Sequence, residues 1–163
     1  SENRYMVIDN KDIYGRYLED FIVGDIIKHW PGKTITESDN NLFCLLTMNT
    51  HPVHSDIEFC KTHQHKKILV VGTLIISLSV GMTVSDISGK AIANLEYTDI
   101  KHKAPVFIGD TLYVSTKVLH VKKSHQKKDR GVVTVESTVY NQNNDIVLVF
   151  KRVILIPKRN IET

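Results

Sequence analysis

The second half of the chain alternates hydrophobic and polar residues with a period of two, the pattern of β-strands that bury one face. These segments are rich in Val, Ile, Thr and Tyr, which favour a pleated surface. The polar run 141–145 separates the last two segments and predicts a turn. Together with one early segment, the alternation predicts an antiparallel sheet, with strands at 26–30, 92–98, 111–121, 131–140 and 146–156.

The first half of the chain predicts helices. The segment 72–82 is apolar nearly all round and too short to span a membrane, which predicts a helix buried on most of its surface. A shorter amphipathic helix is predicted at about 37–47, with Thr36 or Ser38 as its N-cap, and one or two helical turns at 57–61. A long buried helix ahead of a run of strands is the element order of the hotdog fold, in which a curved sheet wraps around a central helix. We therefore predict the α+β class.

Composition indicates one globular domain, predicted to span residues 1–163, since 42% of the residues are hydrophobic and 24% are charged. The net charge of +3 is small, and much of the excess lies in the run 122–130, which contains no aromatic side chain. Proteins that bind nucleic acid usually carry a larger excess, interleaved with aromatic residues. We therefore predict no nucleic-acid partner and a solvated hairpin loop at 122–130, with attraction of an anionic ligand left open as an alternative role for that loop.

The sequence shows no sign of a membrane or secreted location. The N-terminal residues contain no basic segment followed by an apolar one, and no apolar run approaches the roughly 18 residues that span a bilayer. The two cysteines, Cys44 and Cys60, are predicted to be reduced thiols, because so few cysteines do not form a disulfide framework. We expect a soluble, cytoplasmic protein.

The segment 49–56 concentrates the polar chemistry of the chain, with two imidazoles, a carboxamide and a carboxylate. Pro52 fixes one backbone torsion between the two histidines and prevents a regular helix there. The segment resembles the active-site signature of the MaoC-like, (R)-specific enoyl-CoA hydratase family, Asp-x-Asn-Pro-Leu-His, in which the Asp and the final His are catalytic. In this chain Asn49 occupies the position of that Asp, and His54 is the final His.

The resemblance extends over about residues 14–157. The segment 70–78 is similar to the family pattern in which a glycine, Gly72, opens the central helix and a serine, Ser77, follows it. The segment 103–112 is similar to the family turn Pro-Val-x-x-Gly-Asp-x-Leu. Within the family, the chain looks most like the branch that includes mesaconyl-CoA hydratase. The resemblance implies a hotdog hydratase or dehydratase that acts on a short, branched or dicarboxylic enoyl-CoA, as a homodimer or larger homo-oligomer, with no cofactor because coenzyme A is part of the substrate.

Hydration of an unsaturated thioester requires a base to activate water, a proton for Cα and a donor for the thioester oxygen. His54 suits the base, since an imidazole titrates near neutral pH. Asn49 can orient the water, but a carboxamide cannot transfer a proton. Either His54 acts alone or a nearby carboxylate, with Asp56 as the best candidate, replaces the missing acid. Each residue also has a structural interpretation: a hydrogen-bonded turn histidine for His54, a helix C-cap for Asn49 and an N-cap for Asp56.

The substrate-binding residues are predicted around the start of the central helix. Gly72 and Thr73 would present free amides at its positive end, where they could hold the thioester oxygen. Ser77 and His51 are the other predicted substrate contacts. Ser77 has a structural alternative as a core hydroxyl bonded to a backbone carbonyl.

Three other functions compete with hydration. A zinc site would draw on the histidines and the cysteine between 51 and 65, but Pro52 and the irregular loop keep them from converging, so we predict no metal. A hotdog thioesterase usually carries an acidic base on the central helix, and residues 72–82 contain none. A noncatalytic acyl-CoA-binding protein that lost activity with the Asp-to-Asn exchange is the third alternative. For the basic loop 122–130, the phosphates of coenzyme A are an example of the anionic ligand that it could attract in its alternative role.

Overall fold

The protein forms one antiparallel six-stranded sheet, in a computed structural model that describes residues 4–160. The strand order across the sheet is β1-β4-β5-β6-β3, and the short strand β2 also pairs with β4. The strands are β1 (Ile26–Lys28), β2 (Lys33–Thr34), β3 (Ala93–His102), β4 (Thr111–Lys123), β5 (Arg130–Tyr140) and β6 (Ile146–Pro157).

The helices lie mainly between β2 and β3. They are α1 (Asn10–Ile13), α2 (Glu37–Thr47), α3 (Ile57–Lys61) and α4 (Gly72–Thr83), and α4 continues into a π-helical turn, Val84–Ser88. Single 3₁₀ turns occur at Leu18–Asp20 and Pro52–His54. The predicted bounds of α2 and α3 are confirmed, and the predicted strands differ by a few residues at their ends. The region before β1 contains α1 and a 3₁₀ turn, and neither these elements nor the two-residue strand β2 were predicted.

Helix α4 packs against one face of the sheet. Along β4, β5 and β6 buried side chains alternate with more exposed ones, so that every second residue points towards the helix. One apolar cluster surrounds the first turns of α4 and includes Ile75 and Phe150. A second cluster lies at the far end and includes Leu18 and Ile87. The predicted hotdog fold and α+β class are confirmed.

The prediction that α4 is buried on most of its surface is confirmed, since of its residues only Thr73, Ser77 and Gly81 are exposed. Ile75, Ser79 and Thr83, spaced four residues apart, are buried against the sheet. Thr73 and Ser77, on the opposite side of the same helix, are exposed. The apolar side chains of α4 are buried or partly buried, and only a narrow strip of small and polar residues on the side away from the sheet stays exposed. None of the helices within residues 4–160 is long and apolar enough to cross a membrane.

Helix α2, which leads to the segment 49–56, begins with a capping box. Thr36 Oγ1 accepts a hydrogen bond from Asp39 N at 3.2 Å, and Asp39 Oδ2 accepts one from Thr36 N at 2.8 Å. Lys33 Nζ donates to the same carboxylate at 2.7 Å. The hydrogen bond from Lys33, together with the backbone bond from Thr36, lowers the pKa of Asp39 to about 2. Of the two predicted N-caps, Thr36 takes the position.

We expect Asp39→Asn to lower the free energy of unfolding at pH 7 by about 1 kcal/mol, because it weakens these hydrogen bonds. The folded pKa is depressed, so the contribution of Asp39 is present above its ordinary pKa of 3.8 and is lost as the pH falls through about 2. Urea titrations at pH 7 and at low pH would test this. A difference between variant and wild type that stays the same at both pH values would contradict the prediction.

Candidate active site

His54 is held by a 3₁₀ turn that follows α2. The turn begins at Pro52, whose fixed torsion suits the first position of a helical turn. Leu69 N donates to Val53 O at 3.1 Å and so attaches the turn to the strand-like segment before α4. On the same segment, Leu69 O lies 2.7 Å from Nδ1 of His54. A carbonyl can only accept, so Nδ1 carries the proton, and Nε2 of the neutral ring is left as a proton acceptor.

His54 lines a cavity of about 430 Å³ together with the first residue of α4, Gly72. The sequence predicted both residues for the site, and the structure brings them together. The rest of the cavity combines an apolar wall with three further basic side chains. Its other lining residues are His65, Leu69, Val70, Ile75, His102, Lys103, Ala104, Pro105 and Val106.

The start of α4 offers backbone donors to this cavity. The first amides of a helix have no acceptor within the helix, and the N-cap residue Val71 makes no side-chain cap bond. Gly72 N and Thr73 N are therefore available at the positive end of the helix dipole. A Cβ on Gly72 would lie 2.9 Å from Cε1 of His102, so a side chain at this position would displace the His102 ring.

Asn40, which the sequence analysis missed, connects the two halves of the site. Its side chain is fully buried. Nδ2 donates to the carbonyl oxygen of His54 at 3.0 Å, and Oδ1 accepts from Val71 N at 3.1 Å. One carboxamide thus fixes both the histidine turn and the residue before α4. The sequence contained one indication that Asn40 is buried. It lies one helical turn before Cys44, so both residues are on the same face of α2.

Asn49 lies outside the cavity that contains His54. It lines a separate pocket with Cys44 and Ser55. Its Oδ1 accepts from His51 N at 3.2 Å, and its own amide donates to Cys44 O at 3.0 Å, just beyond the end of α2. The C-cap residue itself is Met48, in a left-handed conformation. The side chain of Asn49 therefore stabilises the turn that follows α2.

Asp56 takes the capping role that the sequence left open. It is exposed, it is the N-cap of α3, and its Oδ1 accepts from Phe59 N at 2.9 Å. It does not line the cavity that contains His54. The capping bond holds the carboxylate on α3, so this single-chain structure does not support Asp56 as the acid that replaces Asp of the family signature.

The remaining predicted contacts lie outside the cavity. The ring of His51 is 5.9 Å from that of His54, centroid to centroid, and its Nδ1 accepts from Val53 N at 3.1 Å. Ser77 is exposed on the outer side of α4. The helix hydroxyl that donates to a backbone carbonyl is Ser79, whose Oγ lies 2.6 Å from Ile75 O.

The histidines and the cysteine of the segment 51–65 point to different neighbours. Cys60 Sγ faces Val53 O at 3.3 Å, His63 stacks on Phe59, and His65 packs edge-on against Phe107. Within the described part of the chain, no three His, Cys, Asp or Glu side chains are grouped so that they could hold a metal ion. Both cysteines are free, and burial raises the pKa of the Cys44 thiol.

The basic run 122–130 forms the connection between β4 and β5. At this end of the hairpin, a Cβ on Gly131 would meet the side chain of Leu18, which belongs to the cluster around Ile87 beyond the end of α4. The cavity with His54 lies at the opposite end of α4. Within one chain, the loop is therefore far from a ligand bound at His54.

Comparison with known proteins identifies a family and several relatives. The MaoC like domain matches residues 21–141. The chain is 34% identical over 146 residues to β-methylmalyl-CoA dehydratase of Chloroflexus aurantiacus and 32% identical to mesaconyl-CoA hydratase of Cereibacter sphaeroides, with 90% of the chain covered in each case. It spans only 41% and 42% of the lengths of those two proteins.

A solved structure described as a monoamine oxidase regulatory protein from Archaeoglobus superimposes with a TM-score of 0.79 at 31% identity. That alignment covers 90% of this chain and 97% of the other, so a protein of this length occurs with the same fold. The matched domain includes the histidine turn, the start of α4 and five of the six strands. The chain belongs to the family of MaoC-like domains.

Proposed function

We propose that this domain is a hydratase or dehydratase that adds water reversibly to a short 2-enoyl-CoA thioester. The observation that carries the proposal is the shared cavity, which is lined both by His54, with Nδ1 bonded to Leu69 O, and by Gly72 at the start of α4. A base and a set of oxyanion donors are the two features that hydration of a conjugated thioester requires. The family membership and the names of the relatives support the same reaction class.

In the proposed reaction, the thioester oxygen accepts hydrogen bonds from Gly72 N and Thr73 N, where the helix dipole favours the negative charge that develops there. His54 Nε2 takes a proton from a water molecule, which attacks the β-carbon. Ile75 and Val106 belong to the apolar wall that would hold the acyl chain. The reaction uses no cofactor, since coenzyme A arrives as part of the substrate.

The finer substrate class follows from the relatives. Their printed names refer to methylmalyl and mesaconyl thioesters, which are branched dicarboxylic acyl groups. We propose a substrate of that kind, with mesaconyl-CoA as the first to test. The basic side chains of the cavity, His65 and Lys103, would suit a second carboxylate.

A homodimer, or a larger assembly, is also proposed. Strand β3 is an edge strand with exposed apolar side chains, among them Leu95, Tyr97 and Ile100. Edge strands present unpaired backbone groups that another strand can complete. The exposed strip of α4 supports the same proposal, because a second hotdog unit would cover it.

We further propose a cytoplasmic location, which suits two free buried thiols.

A substrate screen tests the proposed reaction. We expect mesaconyl-CoA or crotonyl-CoA to lose the absorbance of its conjugated thioester without release of free thiol, because the cavity contains a base for water and no carboxylate nucleophile. A thiol assay run in parallel separates hydration from hydrolysis. Release of coenzyme A at the rate of substrate loss would assign the domain as a thioesterase, and binding without turnover would favour the noncatalytic acyl-CoA-binding alternative.

A further inference from the structure

The proposed hydration lacks a source for the proton that Cα receives. His54 provides one proton-transfer group, Asn49 is a carboxamide that cannot provide a second, and Asp56 caps α3 outside the cavity. Among residues 4–160, no carboxylate lines this cavity. Its ionisable side chains are the imidazoles of His54, His65 and His102 and the ammonium of Lys103.

His102 is the imidazole nearest to the start of α4. Its ring lies over Gly72, where a Cβ would be 2.9 Å from Cε1 and 3.1 Å from Nε2 of the ring. A thioester oxygen bound by Gly72 N places the carbonyl carbon beside this ring, and Cα is one bond further. His102 therefore lies next to the carbon atom that must be protonated, on the basis of the proposed function.

A β-bulge in β3 directs His102 into the cavity. Between the pairs Thr98↔Lys151 and Lys101↔Val149, β3 contains one residue more than β6, and Asp99 adopts a left-handed φ of 49°. His102 consequently pairs with Leu148, whose side chain is buried under the sheet face that carries α4.

The ring of His102 is accessible to a ligand. Within the described residues, neither of its nitrogens has a hydrogen-bonding partner, and the residue is exposed. His29 differs in both respects, because its ring is buried and its nitrogens contact Asp86 at 2.7 Å and Thr116 at 2.7 Å. An imidazole whose nitrogens have no partner within the protein can form a hydrogen bond to a ligand and transfer a proton to it.

We propose that His102 is the second proton-transfer group of the site. Nε2 of neutral His54 accepts a proton from water as the new C–O bond forms at the β-carbon. The π electrons of the double bond move to Cα, which takes a proton from protonated His102. The products are the hydroxyacyl thioester, protonated His54 and neutral His102, and proton exchange with solvent restores both rings.

The test compares His102→Gln with the control His120→Gln, which removes another exposed imidazole, on β4 and outside the cavity. We expect His102→Gln to lower kcat by about 10²–10⁴ with little change in KM, and the control to stay within about threefold of wild type. The pH profile of kcat should be bell-shaped in wild type, because turnover needs neutral His54 and protonated His102. The alkaline limb should disappear in His102→Gln. His54, His65 and Lys103 are the charged or titratable groups around the ring that must remain unchanged in this comparison.

A second variant shows whether lost activity comes from the missing imidazole or from a folding defect. His102→Ala leaves a space above Gly72, and added imidazole should restore part of its activity. If wild type hydrates enoyl-CoA and His102→Gln retains both its kcat and its alkaline limb, the role of His102 is overturned while the proposed function stands. Equal losses in both Gln variants would also overturn it, since they would indicate a general effect of positive charge. Absence of turnover in wild type on every enoyl-CoA would overturn both proposals.

Discussion

His54→Ala is expected to lower kcat for enoyl-CoA hydration by about 10²–10⁴, the usual contribution of a positioned general base. The reason is geometric: Leu69 O fixes Nδ1 as the protonated nitrogen and leaves Nε2 to accept from water. The variant should fold, because the half-exposed ring makes one hydrogen bond. Steady-state kinetics with a 2-enoyl-CoA, together with a circular dichroism spectrum, provide the measurement.

Asn49→Ala is the matched comparison for His54→Ala. It removes a polar side chain from the same segment but outside the His54 cavity, so its effect on kcat should be less than about tenfold and smaller than that of His54→Ala. Wild-type turnover in a folded His54→Ala protein would refute the mechanism. Substrate binding without turnover in the wild type and in both variants would favour a binding protein over an enzyme.

The second large effect is expected for Asn40→Ala, which should lower the free energy of unfolding by about 2–4 kcal/mol. The substitution leaves the His54 carbonyl and the Val71 amide without their shared partner, and Val71 is only 2% exposed. We also expect kcat to fall, because the same side chain holds the histidine turn in place relative to α4. Urea titration and kinetics below the unfolding transition separate the two effects.

The neighbouring exposed residue provides the control for Asn40. Asn41→Ala should change the free energy of unfolding by less than about 0.5 kcal/mol, as is usual for surface substitutions. A comparable loss in Asn41→Ala would mean that helix propensity in α2, and not the buried carboxamide, determines the effect. Wild-type stability in Asn40→Ala would show that water replaces the carboxamide without cost.

The secondary structure was predictable because its signals are local. The capping box at Thr36 and the two-residue alternation of the strands are properties of neighbouring residues, and they gave α2 and the long strands nearly to the residue. The candidate site was predictable in part. The resemblance of the segment 49–56 to the family signature pointed to His54, and the glycine that opens an apolar helix pointed to Gly72, both of which line one cavity.

The other site residues depended on contacts between distant parts of the chain. Asp56 fitted a capping role and a catalytic role equally well in sequence, and only its bond to Phe59 N distinguished them. Asn40 had no motif of its own, since its two partners lie 14 and 31 residues further along the chain. His102 reaches the cavity through a bulge, which depends on the register between β3 and β6 and therefore on strand pairing.

The sequence by itself determined the order of helices and strands and the identity of the family, because hydrophobic period, caps and signature residues are encoded within short segments. The tertiary structure alone decided which polar groups share a cavity and which side of α4 stays uncovered. Burial and hydrogen bonding between segments fix these features, and neither is a property of any short segment taken alone. The apolar run 72–82 specified a helix, but the reach of one six-stranded sheet left Thr73 and Ser77 exposed.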